Sequence, residues 1–148
     1  MQHRFFEDWA PGDTLDTGTS TISRESVLAF AREYDPQPFH LEDEAARVSL
    51  FGRLAASGWQ TASTTMRLMV DTGTLSGVGV GLGVDELRWH KPVYPGDTLR
   101  AVIECIDARA RPEKPNGVVR YQITTYNQHD EKVMSHVASV LVNKRTSP

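Results

Sequence analysis

The sequence contains very little cysteine, since Cys105 is the only one among 148 residues. A single cysteine excludes a disulfide within the chain and a metal cluster built from thiolates. Cys105 lies in a run where apolar and polar residues alternate, which favours a small buried side chain over a nucleophile. The histidines outside the proline-rich segment described below, at 3, 90, 129 and 136, are scattered without ligand spacing, so we expect no metal site.

Long apolar runs and an excess of one charge are also absent. The opening segment, MQHRFFEDWAPGD, carries charges and no apolar stretch, so we expect no secretion signal, no membrane-spanning segment and a cytoplasmic protein. The 16 basic and 19 acidic residues leave a net charge of -3, which favours neither nucleic acid nor a membrane as partner. The length suits one hydrophobic core, and we expect a single domain over residues 1–148.

The first half of the chain carries the helix signals. An apolar stripe at spacings of three and four predicts a helix that begins after the N-cap Ser23 and ends at Asp35, because Pro36 disfavours helix in the residue before it. The segment DPQPFH, with two prolines, predicts a stiff irregular loop, and a short helix is expected over residues 42–48. The residues of the stripe are Val27, Leu28, Ala31 and Tyr34.

A longer helix is predicted to begin near Ser57 and to end around Asp71 and Gly73. Its apolar residues recur at spacings of three, four, three and one, which indicates one apolar face opposite a face of Thr, Ser, Gln and Arg. The low charge of both faces suggests that other structure almost surrounds this helix. The expected apolar face comprises Trp59, Ala62, Met66, Met69 and Val70.

The second half predicts antiparallel strands. Apolar residues alternate with polar ones around Cys105, around Ile123 and again near the C-terminus, with turn signals between the runs, and the last two runs form an expected hairpin. Glycines at 77, 79, 81 and 83 do not complete a nucleotide-binding fingerprint. Their period of two indicates a strand face stripped of side chains, which allows close approach of a backbone, a helix or a ligand. The expected fold class is α+β, with the long helix across a concave sheet.

Asp35 and His40 are the candidate catalytic pair. Hydrating a double bond conjugated to a carbonyl needs a base, an acid and donors for enolate charge. A carboxylate and an imidazole held in one stiff loop can share a water molecule. The residues alone leave open that Asp35 only ends a helix and that His40 is an ordinary loop histidine.

Around these residues the chain resembles the MaoC-like dehydratases, which include the R-specific enoyl-coenzyme A hydratases. Their motif reads Asp, any residue, Asn, Pro, an apolar residue, His, and the segment from Asp35 to His40 matches it except that Gln37 replaces Asn. The segments FGRLAASGWQ and LRWHKPVYPGDTLR extend the similarity to about half of the chain. The resemblance implies a hot-dog fold, in which an antiparallel sheet wraps around a long central helix.

The resemblance also implies roles for individual residues. Asp35 and His40 would form the catalytic dyad, and the backbone N–H of Gly58 would polarise the thioester carbonyl from the start of a helix. Gln37 would position the dyad or the substrate, although its amide reaches about 1.5 Å further than that of Asn. Ser63, on the polar side of the central helix, could line the substrate pocket. In the hydratases, His would be more usual than Ser at the position of Ser57.

The function expected from these residues and this resemblance is reversible addition of water to a trans-2-enoyl-coenzyme A or a related β-hydroxyacyl thioester. Such a hydro-lyase needs no cofactor beyond the coenzyme A of its substrate. A thioesterase on the same fold and a non-catalytic acyl-thioester binding protein are the alternatives. An unpaired edge strand, together with the resemblance, predicts a homodimer or a dimer of such dimers.

Overall fold

The computed structural model describes residues 3–146, which form three α-helices and five strands of one sheet. Single 3-10 turns lie at Phe6–Asp8 and Pro38–His40. The helices are α1 (Arg24–Tyr34), α2 (Asp43–Arg47) and α3 (Gly58–Asp71), and the strands are β1 (Thr14–Thr21), β2 (Gly79–Trp89), β3 (Thr98–Ala110), β4 (Asn116–Tyr126) and β5 (Lys132–Asn143). None of these helices is long and apolar enough to cross a membrane.

The strands follow the order β1-β3-β4-β5-β2, and every neighbouring pair is antiparallel. The predicted hairpin of the last two runs is confirmed, with Ile123 on β4 opposite His136 on β5. Along β4 buried and half-buried residues alternate without a break, as expected for a strand with one face on the core. In this sheet β2 pairs only with β5, so its other side is an open edge.

The helix boundaries around the proline-rich loop agree with the sequence signals. The hydroxyl of Ser23 accepts a hydrogen bond from the backbone N–H of Ser26 at 3.1 Å, which caps α1. The helix ends at Tyr34, and its C-cap Asp35 leaves the helical conformation, with φ −152° and ψ 66°, before Pro36. The loop is more regular than predicted, because one 3-10 turn brings His40 back toward the core.

The helix α3 forms where predicted, with Ser57 as its N-cap, but the expected buried face is wrong for three of its five residues. Trp59, Met66 and Val70 are 57%, 55% and 47% exposed. The buried residues of the helix instead include Thr61 and Thr65. Thr65 can be buried because its hydroxyl donates to the carbonyl of Thr61 and shares a 2.7 Å hydrogen bond with Thr125 of β4.

The core has two clusters of buried side chains, and each includes a residue of α3. One lies between β3, β4, β5 and the C-terminal half of α3, and it includes Cys105 and Tyr121. The interpretation of Cys105 as a small buried side chain is confirmed, and burial raises the pKa of its thiol. The other cluster joins α1, α3 and the sheet through residues such as Val27, Leu68 and Leu99.

Candidate active site

The structure brings Asp35 and His40 together at the junction of α1 and the 3-10 turn. Nε2 of His40 lies 3.4 Å from Oδ2 of Asp35. That separation is longer than a strong hydrogen bond but leaves both atoms within reach of one water molecule. The imidazole is buried against the rings of Phe39 and Phe51, with centroid separations of 4.7 and 5.7 Å. Its orientation is therefore fixed by packing.

The backbone around the site determines the tautomer of His40. Nδ1 lies 2.7 Å from the carbonyl oxygen of Ala55. A carbonyl oxygen only accepts, so Nδ1 carries the proton and donates it. In the neutral ring, Nε2 is then the nitrogen with a free lone pair, and it is the atom that faces Asp35. His40 is therefore arranged to take up and release a proton at Nε2.

Two neutral side chains hold the carboxylate of Asp35. Ser57 donates its hydroxyl to Oδ2 at 2.7 Å, and Gln37 donates its side-chain amide to Oδ1 at 2.5 Å. Partial burial works to raise the pKa of Asp35, but these two hydrogen bonds and the nearby His40 outweigh it, and the pKa lies below the ordinary value. Asp35 is therefore ionised at neutral pH.

Gly58 is the first residue of α3 and lies beside the same cleft. Its N–H makes no hydrogen bond among residues 3–146, as is usual in the first turn of a helix. Its carbonyl accepts a 2.9 Å hydrogen bond from Nε1 of Trp89. A Cβ at this position would lie only 2.6 Å from the Trp89 ring, so the indole packs where a side chain would otherwise stand. The helix dipole adds positive potential at this N–H.

These groups line a cleft of about 360 Å³ between the start of α3 and the end of β2. Trp59 and Trp89 meet edge to face in its wall, with ring centroids 5.1 Å apart. His90 and Lys91 also line the cleft, and their side chains are held by Ser135 and Glu131, respectively. The cleft size suits a small organic ligand.

Sequence reasoning missed several of these residues as parts of a site. The apolar spacing places Trp59 on the expected buried face, and the only signal for Trp89, His90 and Lys91 is the resemblance of their segment to the family. The role of Ser57 beside Asp35 was not foreseen. Its N-cap position was a signal for its location, since an N-cap hydroxyl stands at the helix end where Gly58 was already a candidate.

Ser63 is the predicted site residue that lies elsewhere. Its hydroxyl donates to the carbonyl of Trp59 at 2.8 Å, and it borders a separate shallow depression next to α1. Within this chain the structure does not bring Ser63 to Asp35 and His40. Among residues 3–146 there is also no group of three His, Cys, Asp or Glu side chains placed to hold a metal ion.

Comparison with known proteins gives a match to the MaoC-like domain family over residues 6–127. The mesaconyl-CoA hydratase of Cereibacter sphaeroides is 33% identical over 144 residues, which cover 96% of this chain and 42% of that enzyme. The chain thus spans less than half the length of this relative.

Solved structures show the same architecture. The MaoC-like dehydratase of Rhodospirillum rubrum is 41% identical and superimposes with a TM-score of 0.91 over 97% of this chain and 99% of that one. The (R)-hydratase of A. caviae is 23% identical, with a TM-score of 0.75 over 92% and 98%, which shows a shared fold. The predicted α+β hot-dog fold is confirmed, and the chain belongs to the MaoC-like domain family of hydratases and dehydratases.

Proposed function

We propose that this protein is a hydro-lyase that reversibly adds water to a trans-2-enoyl-coenzyme A or a related β-hydroxyacyl thioester. The observation that carries the proposal is the pair formed by Oδ2 of Asp35 and Nε2 of His40, 3.4 Å apart. The pair lines the same cleft as Gly58, whose N–H is unpaired among the described residues. Base, acid and oxyanion donor are thus available together.

In the hydration direction, a water molecule between Asp35 and His40 gives up a proton to one of them as its oxygen attacks the β-carbon. The pair then returns one proton to the α-carbon, so that water is added and the starting protonation state is restored. The lowered pKa of Asp35 keeps the carboxylate ionised before the reaction. The hydrogen bond from Nδ1 to Ala55 keeps Nε2 directed at the reacting water.

Attack on the β-carbon moves negative charge onto the thioester oxygen. The N–H of Gly58 would donate a hydrogen bond to this oxygen and stabilise its charge, and the positive end of the α3 dipole would add to that stabilisation. The glycine itself is required by the indole of Trp89, which occupies the space of a Cβ. The same indole forms a wall of the cleft, so binding of substrate and placement of the donor depend on one contact.

The relatives support the reaction class. The mesaconyl-CoA hydratase, 33% identical to this chain, is named for hydration of a coenzyme A thioester. The β-methylmalyl-CoA dehydratase of Chloroflexus aurantiacus, 28% identical, is named for the reverse type of reaction. Because the chain covers 42% and 40% of these enzymes, the activity and the thioester substrate are proposed for it from the site and the family together.

Crotonyl-coenzyme A tests the proposal. We expect loss of the conjugated absorbance without release of free thiol, and we expect Asp35→Asn and His40→Ala each to reduce the rate by a factor of roughly 10² to 10⁴, as for general acid–base groups. Asp43→Asn and His129→Ala are matched controls, because both side chains are exposed and lie outside the cleft.

The alternatives give different results in the same assay. Release of free thiol would show that the protein is a thioesterase and not a hydratase. Binding of enoyl thioesters without turnover at any chain length would identify a non-catalytic binding protein. Full activity in both the Asp35 and the His40 variants would refute the dyad.

We also propose that the working unit is a homodimer formed along β2. This strand has an open edge and carries three exposed apolar side chains, Val80, Leu82 and Val84. The exposed Met66 and Val70 of α3 border the same region. Pairing of two β2 edges would satisfy their free backbone groups and cover this apolar surface.

A further inference from the structure

The cleft that contains Asp35 and His40 has an arginine beside it that the proposed reaction does not use. The guanidinium carbon of Arg53 lies 3.8 Å from the centroid of the Tyr94 ring. The hydroxyl of Tyr94 donates to the backbone carbonyl of Phe51 at 2.8 Å, so the ring is tied to the loop that carries the arginine. A guanidinium that lies over a ring keeps the N–H groups at its edge available for another partner.

The two segments that hold Arg53 also form part of the cleft wall. Phe51 and Val93 line the cleft, and they lie close in sequence to Arg53 and Tyr94. The backbone N–H of Ala56 donates to the carbonyl of Val93 at 2.8 Å, which joins the two segments. Arg53 is therefore fixed at the border of the cleft by its own loop and by its neighbour.

No acidic side chain neutralises this guanidinium. Among residues 3–146, no carboxylate oxygen lies within 4.0 Å of the nitrogens of Arg53, and the side chain is exposed. Lys91, which lines the same cleft, is by contrast paired with Glu131. Because stacking has already restricted the Arg53 side chain, less conformational entropy is lost when it binds an anion. Arg53 is thus suited to an anionic part of a ligand in the cleft.

We infer that Arg53 binds the phosphate at the end of the pantetheine arm when an acyl thioester occupies the cleft. This inference rests on the proposed acyl-thioester function and assigns a contact to the charged part of that substrate. The planar fork of guanidinium N–H groups matches two oxygens of one phosphate. Coenzyme A and an acyl carrier protein both carry this phosphate at the same place on the arm.

The dimensions of the arm agree with this assignment. The ring of Phe51 lies 5.7 Å from the ring of His40. Adding the contacts of Tyr94 and ordinary side-chain lengths places the Arg53 guanidinium on the order of 10–20 Å from the dyad. The pantetheine arm contains two amides and is comparable to about four extended residues, so roughly 14 Å separate its sulfur from its phosphate. A thioester held with its double bond at the dyad can therefore bring the phosphate to Arg53.

Binding measurements with thioesters that differ only in the arm test the inference. Isothermal titration of the full chain would use the butyryl thioesters of pantetheine, 4′-phosphopantetheine and coenzyme A. We expect the phosphopantetheine form to bind roughly tenfold more tightly than the pantetheine form, as for a charge-assisted contact that water partly screens. This advantage should shrink as sodium chloride is added.

Variants assign the advantage to one side chain. Arg53→Gln should make the phosphopantetheine and pantetheine forms bind about equally without changing the affinity for the pantetheine form. Arg53→Lys should keep part of the advantage, because it keeps the charge and loses the fork. Arg32→Gln is the matched control, since Arg32 is exposed on α1 and does not line the cleft, and it should keep the full advantage.

Three results would overturn the inference. The first is equal binding of the phosphopantetheine and pantetheine forms by the native chain, and the second is an advantage that survives in Arg53→Gln. The third is a loss of affinity in Arg53→Gln for the coenzyme A form alone, which would assign the arginine to the adenosine phosphates. A butyryl acyl carrier protein, which lacks those phosphates, should lose affinity in Arg53→Gln by the same factor as coenzyme A.

These measurements do not depend on turnover, because butyryl thioesters have no double bond to hydrate. If the phosphate advantage is present and responds to Arg53 but no enoyl thioester is hydrated, the proposed reaction fails and the phosphate contact stands. If enoyl thioesters are hydrated but the advantage is missing, the reaction stands and the phosphate contact fails.

Discussion

Ser57 donates a 2.7 Å hydrogen bond to Oδ2 of Asp35, across 22 positions of the chain. The same hydroxyl accepts a bond from the backbone N–H of Trp59 at 3.3 Å and caps α3. One fully buried side chain thus joins the end of α1 to the start of α3 at the candidate site. The carboxylate is positioned by the fold itself and not only by its own loop.

Replacing Ser57 by alanine should change the pH profile. The hydroxyl stabilises the ionised form of Asp35, so its loss raises the pKa of that carboxyl from its lowered value. If the ionised carboxylate is the active form, the acid limb of kcat/KM for an enoyl thioester should move to higher pH in Ser57→Ala. Ser63→Ala is the control, because the hydroxyl of Ser63 donates only to the backbone carbonyl of Trp59. An unmoved acid limb in Ser57→Ala would show that another group sets it.

Gln37 is expected to act on the same carboxyl. Its amide reaches Oδ1 of Asp35 at 2.5 Å. Asparagine, which stands at this position in the MaoC-like motif, would fall short by about 1.5 Å. In Gln37→Asn the acid limb should therefore move in the same direction as in Ser57→Ala, and the double variant should show the largest displacement. If Gln37→Asn changes KM alone, the amide contacts the substrate and not the dyad.

Gly58→Ala should displace the Trp89 indole. The new Cβ would stand 2.6 Å from the ring, so the indole must shift and its 2.9 Å bond to the Gly58 carbonyl must weaken. We expect a lower melting temperature, with a loss of about 1–3 kcal/mol for overpacking, and an altered near-UV circular dichroism from the Trp59–Trp89 pair. In a Trp89→Leu background, Gly58→Ala should lower the free energy of unfolding far less. Equal losses of stability in both backgrounds would contradict this contact.

The sequence predicts where the helices and strands lie better than it predicts which of their faces is buried. Hydrophobic period and caps place α1, α3 and the strands correctly, because both signals are local. The buried face of α3 could not be read from hydrophobicity, since Thr65 is buried with its hydroxyl bonded to the Thr61 carbonyl and to Thr125 on a distant strand. Trp59 and Met66 are apolar yet exposed, because they border the open grooves beside β2.

In the candidate site, too, the residues of one local motif are predicted and the contacts between distant residues are not. Asp35 and His40 were found because they lie in one short motif. The contacts of Asp35 with Ser57, and of Gly58 with Trp89, join residues 22 and 31 positions apart, which no local pattern reveals. The place of His136 in the lining of a cavity follows only from the assembled sheet, since its spacing in the sequence carries no signal.

The open edge of β2 leads to a prediction about assembly. Leu82 is 56% exposed on an unpaired strand edge between two other exposed apolar residues, whereas Leu50 is fully exposed outside this surface. If two β2 edges pair about a two-fold axis, Leu82→Lys places two like charges near one another in an apolar interface. Light scattering should then give twice the chain mass for the native protein and for Leu50→Lys, and a concentration-dependent shift toward a single chain for Leu82→Lys. A native protein that stays monomeric at all concentrations tested would refute the dimer.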